Sequence, residues 1–232
     1  MKPLAIVTGV GPGTGSSLVK RFHDGGYQVA MLARNQQRLE ALERALPDAF
    51  GVPCDVTDSA SFASALQRME QRAGAPAVVV HNAVGGAFGS FLDVDPAVLQ
   101  HNFDVNVMAL LHLARWAAPL MKANGSGALF VTGTTSSLRG KAGFAGFAPT
   151  KAAQRILTES IARELGPSGV HVAYLLIDAV IDVPWARKRH ADKPDDFFIT
   201  PASIAEEAWH LAHQDKQAWS FLMEIRPYAE KW

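Results

Sequence analysis

Eight residues constrain this chain more than any others: Thr8-Gly9-Val10-Gly11-Pro12-Gly13-Thr14-Gly15, set between an apolar run at 4–8 and a helical pattern that opens at Thr14. Glycine at alternate positions leaves the turn without Cβ atoms that would hold the backbone away from a neighbour, and makes positive φ accessible. Its place after a buried strand and before a helix presents backbone N–H groups at a helix N-terminus, where the dipole favours an anion. A pyrophosphate meets those conditions, and the strand–turn–helix context separates a dinucleotide site from an ordinary glycine-rich turn. Gly9, Gly11, Gly13, Thr14 and Gly15 are the predicted cradle.

The alternation of strand and helix continues to the C-terminus. Apolar runs at 4–8, 27–33, 49–54, 77–81, 127–133, 170–177 and 219–226 are mostly continuous in hydrophobicity, as suits strands covered on both faces. Helical patterns lie between them at 14–25, 35–46, 58–72, 95–123, 147–166 and 201–214. Asp95-Pro96 and Thr200-Pro201 each put a side-chain acceptor before a proline suited to a first helical turn, and Gly166-Pro167 stops a helix. Repeated strand–helix–strand units require a parallel sheet with right-handed crossovers. The expectation is a doubly wound, Rossmann-type α/β fold, a three-layer sandwich around a mainly parallel sheet of about seven strands, with residues 1–232 as one dinucleotide-binding domain. The segment 183–199 breaks the alternation. It is charged, contains Pro184, Trp185, Pro194, Phe197 and Phe198, and reads either as a lid over a substrate pocket or as a disordered surface loop.

Charge narrows the partners. Lysine and arginine number 22, as do aspartate and glutamate, so the chain lacks an electropositive footprint for nucleic acid or an anionic membrane. Cys54 is the only cysteine, which excludes an intrachain disulfide and suits a reducing compartment. The apolar start at 4–7 is too short for a secretory leader, and no stretch approaches the ~20 apolar residues of a membrane span. A cytoplasmic protein with a small-molecule substrate, and with no nucleic-acid or membrane partner, is expected. His210 and His213 share a helix face without an obvious third ligand, so packing or solvation is expected there and no metal.

The second strand indicates which dinucleotide. An acidic residue at its end reads the ribose hydroxyls of NAD. Here that position is Ala33, followed by Arg34, whose guanidinium suits a 2′-phosphate through paired, charge-assisted hydrogen bonds. NADP(H) is favoured over NAD(H).

With these features in place, the chain resembles the short-chain dehydrogenase/reductase family over nearly its whole length. Three residues separate Gly9 from Gly13, as in that family. Asp55-Val56 is similar to its adenine-contacting pair, and His81-Asn82-Ala83-Val84-Gly85 to its Asn-Asn-Ala-Gly element, which assigns Asn82 and Ala83 to the cofactor. Asn106 matches an asparagine that organises the family's proton relay. The segment 177–184 aligns with the one lying over the nicotinamide and adds Ile181 and Val183, although Ala179 and Val183 replace the usual glycine and threonine.

The resemblance implies a tyrosine and a lysine four residues apart beside a serine. This chain reads Phe147-Ala148-Pro149-Thr150-Lys151. Lys151 is therefore expected to hold the nicotinamide ribose and Thr134 to take the serine position, with Thr135 or Ser136 the choice in another register. Phe147 stands at the tyrosine position and cannot donate or accept a proton. The expected function is an NADP(H)-dependent oxidoreductase acting on a small apolar carbonyl or alcohol through a modified relay. The proton would come from Thr134, Ser136, Ser137, an ordered water or the substrate itself. The alternatives are an NADP(H)-binding sensor or regulatory partner with impaired chemistry, and an enzyme of another reaction that uses the dinucleotide structurally.

Phe88, Phe91, Phe144, Phe147, Trp185 and Phe198 are expected to line the substrate pocket, with Arg139 and Lys141 near its mouth or on a solvated loop. Tyr174 is expected in the core. Trp209, Trp219 and Trp232 suggest apolar surface that packs on the domain or on a second subunit. By analogy with the family, the helices at 95–123 and 147–166 would pair copies into a homodimer or homotetramer.

Overall fold

The structure, a computed structural model, describes residues 2–230. In chain order its elements are β1 Leu4–Thr8, α1 Thr14–Asp24, β2 Gln28–Ala33, α2 Gln36–Ala45, β3 Ala49–Pro53, α3 Ser59–Ala73, β4 Pro76–His81, α4 Pro96–Phe103, α5 Ala109–Ala123, β5 Gly127–Thr134, α6 Ala148–Leu165, β6 Val170–Ile177, β7 Val180–Ile181, α7 Pro184–Arg189, β8 Phe198–Ile199, α8 Pro201–Ala212 and β9 Leu222–Ile225. Seven of the strands form one parallel sheet in the order β3-β2-β1-β4-β5-β6-β9, the doubly wound arrangement that the alternation requires.

Burial of both sheet faces explains the continuous apolar runs. Leu4 and Ile6 of β1 point into one layer with Phe62 and Met69 of α3 and Leu110 and Leu113 of α5. Their neighbours Ala5 and Val7 point into the other, against Leu18 and Phe22 of α1 and Ile204 and Leu211 of α8. Asn35, Asp58, Asp95 and Thr200 cap α2, α3, α4 and α8 by accepting from backbone N–H groups. The strand order reverses between β1 and β4, so a crevice opens beyond their carboxyl ends, where open α/β sheets bind ligands.

Three sequence expectations are corrected. The helix over 95–123 is two helices, because residues Asp104–Met108 form a π-helical turn between α4 and α5. Asn106 lies in that turn and is fully buried. The segment 183–199 is neither disordered nor irregular: it folds as α7, a 3₁₀ turn at Asp195–Phe197 and β8, which pairs in parallel with β7. Arg187 holds it together, bonding Asp182 at 2.7 and 2.8 Å and Asp195 at 2.6 Å and lying 4.1 Å over the Phe198 ring. The last strand spans only Leu222–Ile225. Trp219, expected to begin it, stacks on His171 with centroids 4.8 Å apart.

Trp209 packs on the domain beneath the Arg21 guanidinium, 3.9 Å from its ring centre, and against Phe22, Tyr27 and His213; Trp232 lies outside the described residues. The His213 ring is held by the Trp209 carbonyl and the Tyr27 hydroxyl. Tyr174 is wholly buried, and burial pushes its hydroxyl up to about 12. Among the described residues no helix is long and apolar enough to cross a membrane.

Candidate active-site cleft

The four glycines of the first turn are required for different reasons. Gly9 has φ +71°, and a Cβ there would stand 2.5 Å from the Ala83 backbone. A Cβ at Gly15 would stand 2.5 Å from the Gly9 carbonyl oxygen, and one at Gly13 2.6 Å from Val183 Cγ1. These three answer to protein packing, a requirement beside the one that a ligand would impose. All four line the cleft, but Gly11 differs in that a Cβ there meets nothing of the protein within 4 Å. Asn82 pins the turn by donating to the Gly9 carbonyl at 2.9 Å while accepting from the Thr132 hydroxyl at 3.1 Å. The Thr8 hydroxyl accepts from the Asn82 and Ala83 backbone N–H groups.

The cleft encloses about 1670 Å³ and runs across the carboxyl ends of the central strands. That is larger than the ~300–1,000 Å³ of an ordinary small-ligand site. It leaves room for a dinucleotide together with a second molecule. At its middle, α1 begins without a side-chain cap, and the buried Thr14 hydroxyl has no hydrogen-bond partner among the described residues. An uncapped helix start, an orphaned hydroxyl and the open face of Gly11 fit the pyrophosphate of a dinucleotide.

At one end the cleft is lined by Arg34, Arg38, Asp55 and Val56. Neither guanidinium is in a salt bridge among the described residues. The Thr57 backbone N–H, 3.0 Å from Asp55 Oδ1, holds that carboxyl below its usual range; burial opposes this, and the Thr57 hydroxyl and the Arg34 charge reinforce it. Sequence reasoning missed Arg38. The Asn35 cap accepts from Arg38 N at 2.8 Å, which sets Arg38 in the first turn of α2, and Arg38 joins Arg34 in lining the cleft. The cap-x-x-Arg spacing was the available signal.

At the other end stand Lys151, Phe147, Thr134 and Ser136. Lys151 is 2% exposed, and its Nζ donates to the Thr132 carbonyl at 3.0 Å and to Gln154 Oε1. Burial brings the ammonium down to about 7. Thr134 and Ser136 reach the cleft wall, whereas Ser137 donates its hydroxyl to the Thr134 carbonyl at 2.7 Å. Asn106 lies behind the wall. Its side-chain amide donates to the Gly85 carbonyl and the Thr150 hydroxyl, both at 2.8 Å, and accepts from Gly85 N at 3.0 Å. Ile181 lines the cleft, and Val183 instead packs on Gly13.

Phe147 faces the cleft in a ring cluster, 5.4 Å from Phe88, which in turn lies 5.1 Å from Phe144. Gly86 makes room for it, since a Cβ there would sit 2.9 Å from the Phe147 ring. Trp185 also lines the cleft. Two of the expected pocket aromatics are elsewhere. Phe91 lies in a smaller hollow of about 480 Å³ with Arg139 and Lys141, and Phe198 is buried beneath Arg187.

Comparison with known proteins places the chain. The family described as short chain dehydrogenase matches residues 3–193. The chain belongs to this family. It is 33% identical over 175 residues to a 3alpha-hydroxysteroid dehydrogenase of Mediterraneibacter gnavus, covering 73% of this chain and 70% of that one. It is 31% identical over 169 residues to L-xylulose reductase of Bos taurus, covering 72% and 68%. A metagenomic short-chain oxidoreductase solved in complex with NADP superposes with a TM-score of 0.85 at 26% identity over 97% of both chains. This member of the family thus has its fold and oxidoreductase relatives, with phenylalanine at position 147.

Proposed function

We propose that this short-chain dehydrogenase is an NADP(H)-dependent oxidoreductase for a small apolar carbonyl or alcohol. The observation that carries the reading is the chemical order along the cleft. Two guanidiniums, Arg34 and Arg38, come first; then the glycine turn with its uncapped helix start; then the buried cation Lys151; and last the wall of Phe88, Phe144 and Phe147. That order suits a 2′-phosphate, a pyrophosphate, a ribose and an apolar reactant in turn. The NADP-bound relative, alike over 97% of both chains, supports it.

Lys151 and Ile181 would hold a nicotinamide at this end of the cleft, where it would supply or accept a hydride. The chain's own residues orient and stabilise. Lys151 places positive charge near the developing alkoxide, and Thr134 and Ser136 offer hydroxyls to the carbonyl oxygen. Phe147 contributes apolar contact and no proton. The proton therefore comes from Thr134, Ser136, water or the substrate, and Ser137 drops out because its hydroxyl is engaged inside the fold. General acid catalysis contributes only ~10²–10⁴-fold, so hydride transfer does not depend on a tyrosine.

Fluorescence titration with NADPH and NADH at one salt concentration, followed by loss of nicotinamide absorbance with aldehydes, ketones and quinones, tests the reading. NADPH should bind more tightly and be consumed. Tighter NADH binding removes the cofactor assignment. NADPH binding without turnover on any carbonyl leaves the sensor reading in its place.

The assembly proposed is a homodimer or homotetramer through α5 and α6. Met108, beside α5, and Ile156 on α6 support it, exposed at 41% and 51% in the isolated chain. A monomer by light scattering would refute it.

A further inference from the structure

Lys151 is a buried cation without a buried anion. The groups that bond or face its ammonium are neutral. β5 gives the Thr132 carbonyl, and α6 gives Gln154 Oε1. β4 gives His81, kept neutral down to about pH 3 by burial and by the lysine's own charge. No carboxylate forms a salt bridge with Lys151 among the described residues. Two of the three N–H bonds of the ammonium are engaged within the fold, which leaves one for the cleft that Lys151 helps to line.

Gln154 is as unusual as the lysine it serves. It is 0% exposed and takes no part in the cleft wall. Its Oε1 accepts from Lys151, and its Nε2 donates to the Asn106 carbonyl at 2.7 Å. The reverse orientation would set N–H against N–H at the ammonium and oxygen against oxygen at Asn106, so the two contacts fix which way the amide points. The Asn106 carbonyl belongs to the π-helical turn at Asp104–Met108, where the ordinary helical ladder is interrupted, and it is thus free to take a side-chain donor.

We infer that Gln154 is a positioning residue that seals the inner side of Lys151. Its amide holds one N–H of the ammonium and, anchored on Asn106, excludes both water and any compensating carboxylate, so that the lysine exchanges its proton only through the cleft. An amide neither gains nor loses a proton at ordinary pH, which makes it a barrier where water would be a path. A neutral partner also leaves the charge to be balanced by whatever enters the cleft. Binding of an anion there is thereby coupled to proton uptake by Lys151. The inference rests on the reading of Lys151 as the cleft's working cation.

The test follows the ¹³Cε resonance of Lys151 through a pH titration of the full protein labelled with ¹³C-lysine, the signal being the one missing from Lys151→Met. Gln154→Glu supplies a facing carboxylate and should raise the midpoint by ~1–3 units. Gln154→Met removes the acceptor at similar volume and should lower it. Opposite shifts are the expected result, and a packing role alone would not produce them. NADPH affinity of the wild type is measured alongside. Failure to bind NADPH overturns the reading of the cleft. NADPH binding with a Lys151 midpoint unmoved in either folded variant overturns the role of Gln154. Should Gln154→Glu fail to fold, a midpoint in Gln154→Met equal to or above that of the wild type overturns it equally.

Discussion

Replacing Lys151 by methionine should change how stability depends on pH, in a direction that the burial of the ammonium dictates. The lysine is 2% exposed, and its pKa falls from 10.5 to about 7 on folding. A depression of about 3.5 units, at about 1.36 kcal/mol each, means that folding with the lysine charged costs about 5 kcal/mol. Because the folded value lies below the unfolded one, the unfolded chain holds the extra proton between pH 7 and 10.5. Stability from this group therefore rises with pH across that window and is lowest below it. Between pH 6 and pH 9 the wild type should gain roughly 2–3 kcal/mol from Lys151, and the variant nothing. Methionine keeps most of the stem volume but leaves the Thr132 carbonyl and Gln154 Oε1 without a donor, at about 1–3 kcal/mol each. At pH 6 the variant should thus match or modestly exceed the wild type. The double difference between the two pH values is free of that hydrogen-bond cost, and other titrating groups cancel in it. Urea unfolding of both proteins at pH 6 and pH 9 supplies the four free energies. Parallel pH dependence in the two proteins would refute the reasoning.

The glycine turn offers a separation of fold from ligand. Gly9→Ala should lose about 2 kcal/mol or more of stability, from its positive φ and the contact with Ala83. Gly11→Ala should leave the melting temperature nearly unchanged and weaken NADPH binding at least ~10-fold. Equal losses of stability would contradict the distinct surroundings of the two positions. Arg34→Ala and Arg38→Ala should each raise the Kd for NADPH by ~10–100-fold, from loss of a charged hydrogen bond, and leave NADH nearly unaffected. Equal losses for both cofactors would place neither arginine at a 2′-phosphate. Phe147→Tyr should increase carbonyl turnover by up to ~10²–10⁴-fold, and unchanged turnover with intact NADPH binding would show that the site no longer accepts a proton donor there.

Much of the architecture was legible because burial on both sheet faces writes strands as continuous apolar runs. The first strand shows this: Leu4 and Ile6 serve one layer and Ala5 and Val7 the other. The glycine turn was legible in position and only partly in reason, since Gly9, Gly13 and Gly15 respond to Ala83, Val183 and Gly9 itself, neighbours that spacing does not reveal. The π-helical turn escaped because the apolar pattern runs across it without a break. α7 and β8 escaped because both are short, six and two residues, too few to show a period. Gln154 escaped for a different reason. A glutamine within a helical run reads as a solvent-facing residue, and only the lysine three positions earlier and a carbonyl from a distant turn show that it is interior.

The turn at Asp104–Met108 carries a consequence for how this protein tolerates change. One residue more than an α-helix needs is stored there, and each residue advances a helix by roughly 100°. The side chains of α4 and those of α5 are in register with their separate neighbours only because of that surplus. Deleting a single residue from the turn would rotate one helix against the other, carry Leu110 and Leu113 off the sheet, and take the Asn106 carbonyl away from Gln154 together. Substitutions there alter a contact, whereas a deletion alters the phase. The spatial arrangement of the inner cleft is thus held in a residue count, and length variation should be scarcer in this turn than in any exposed loop of the chain.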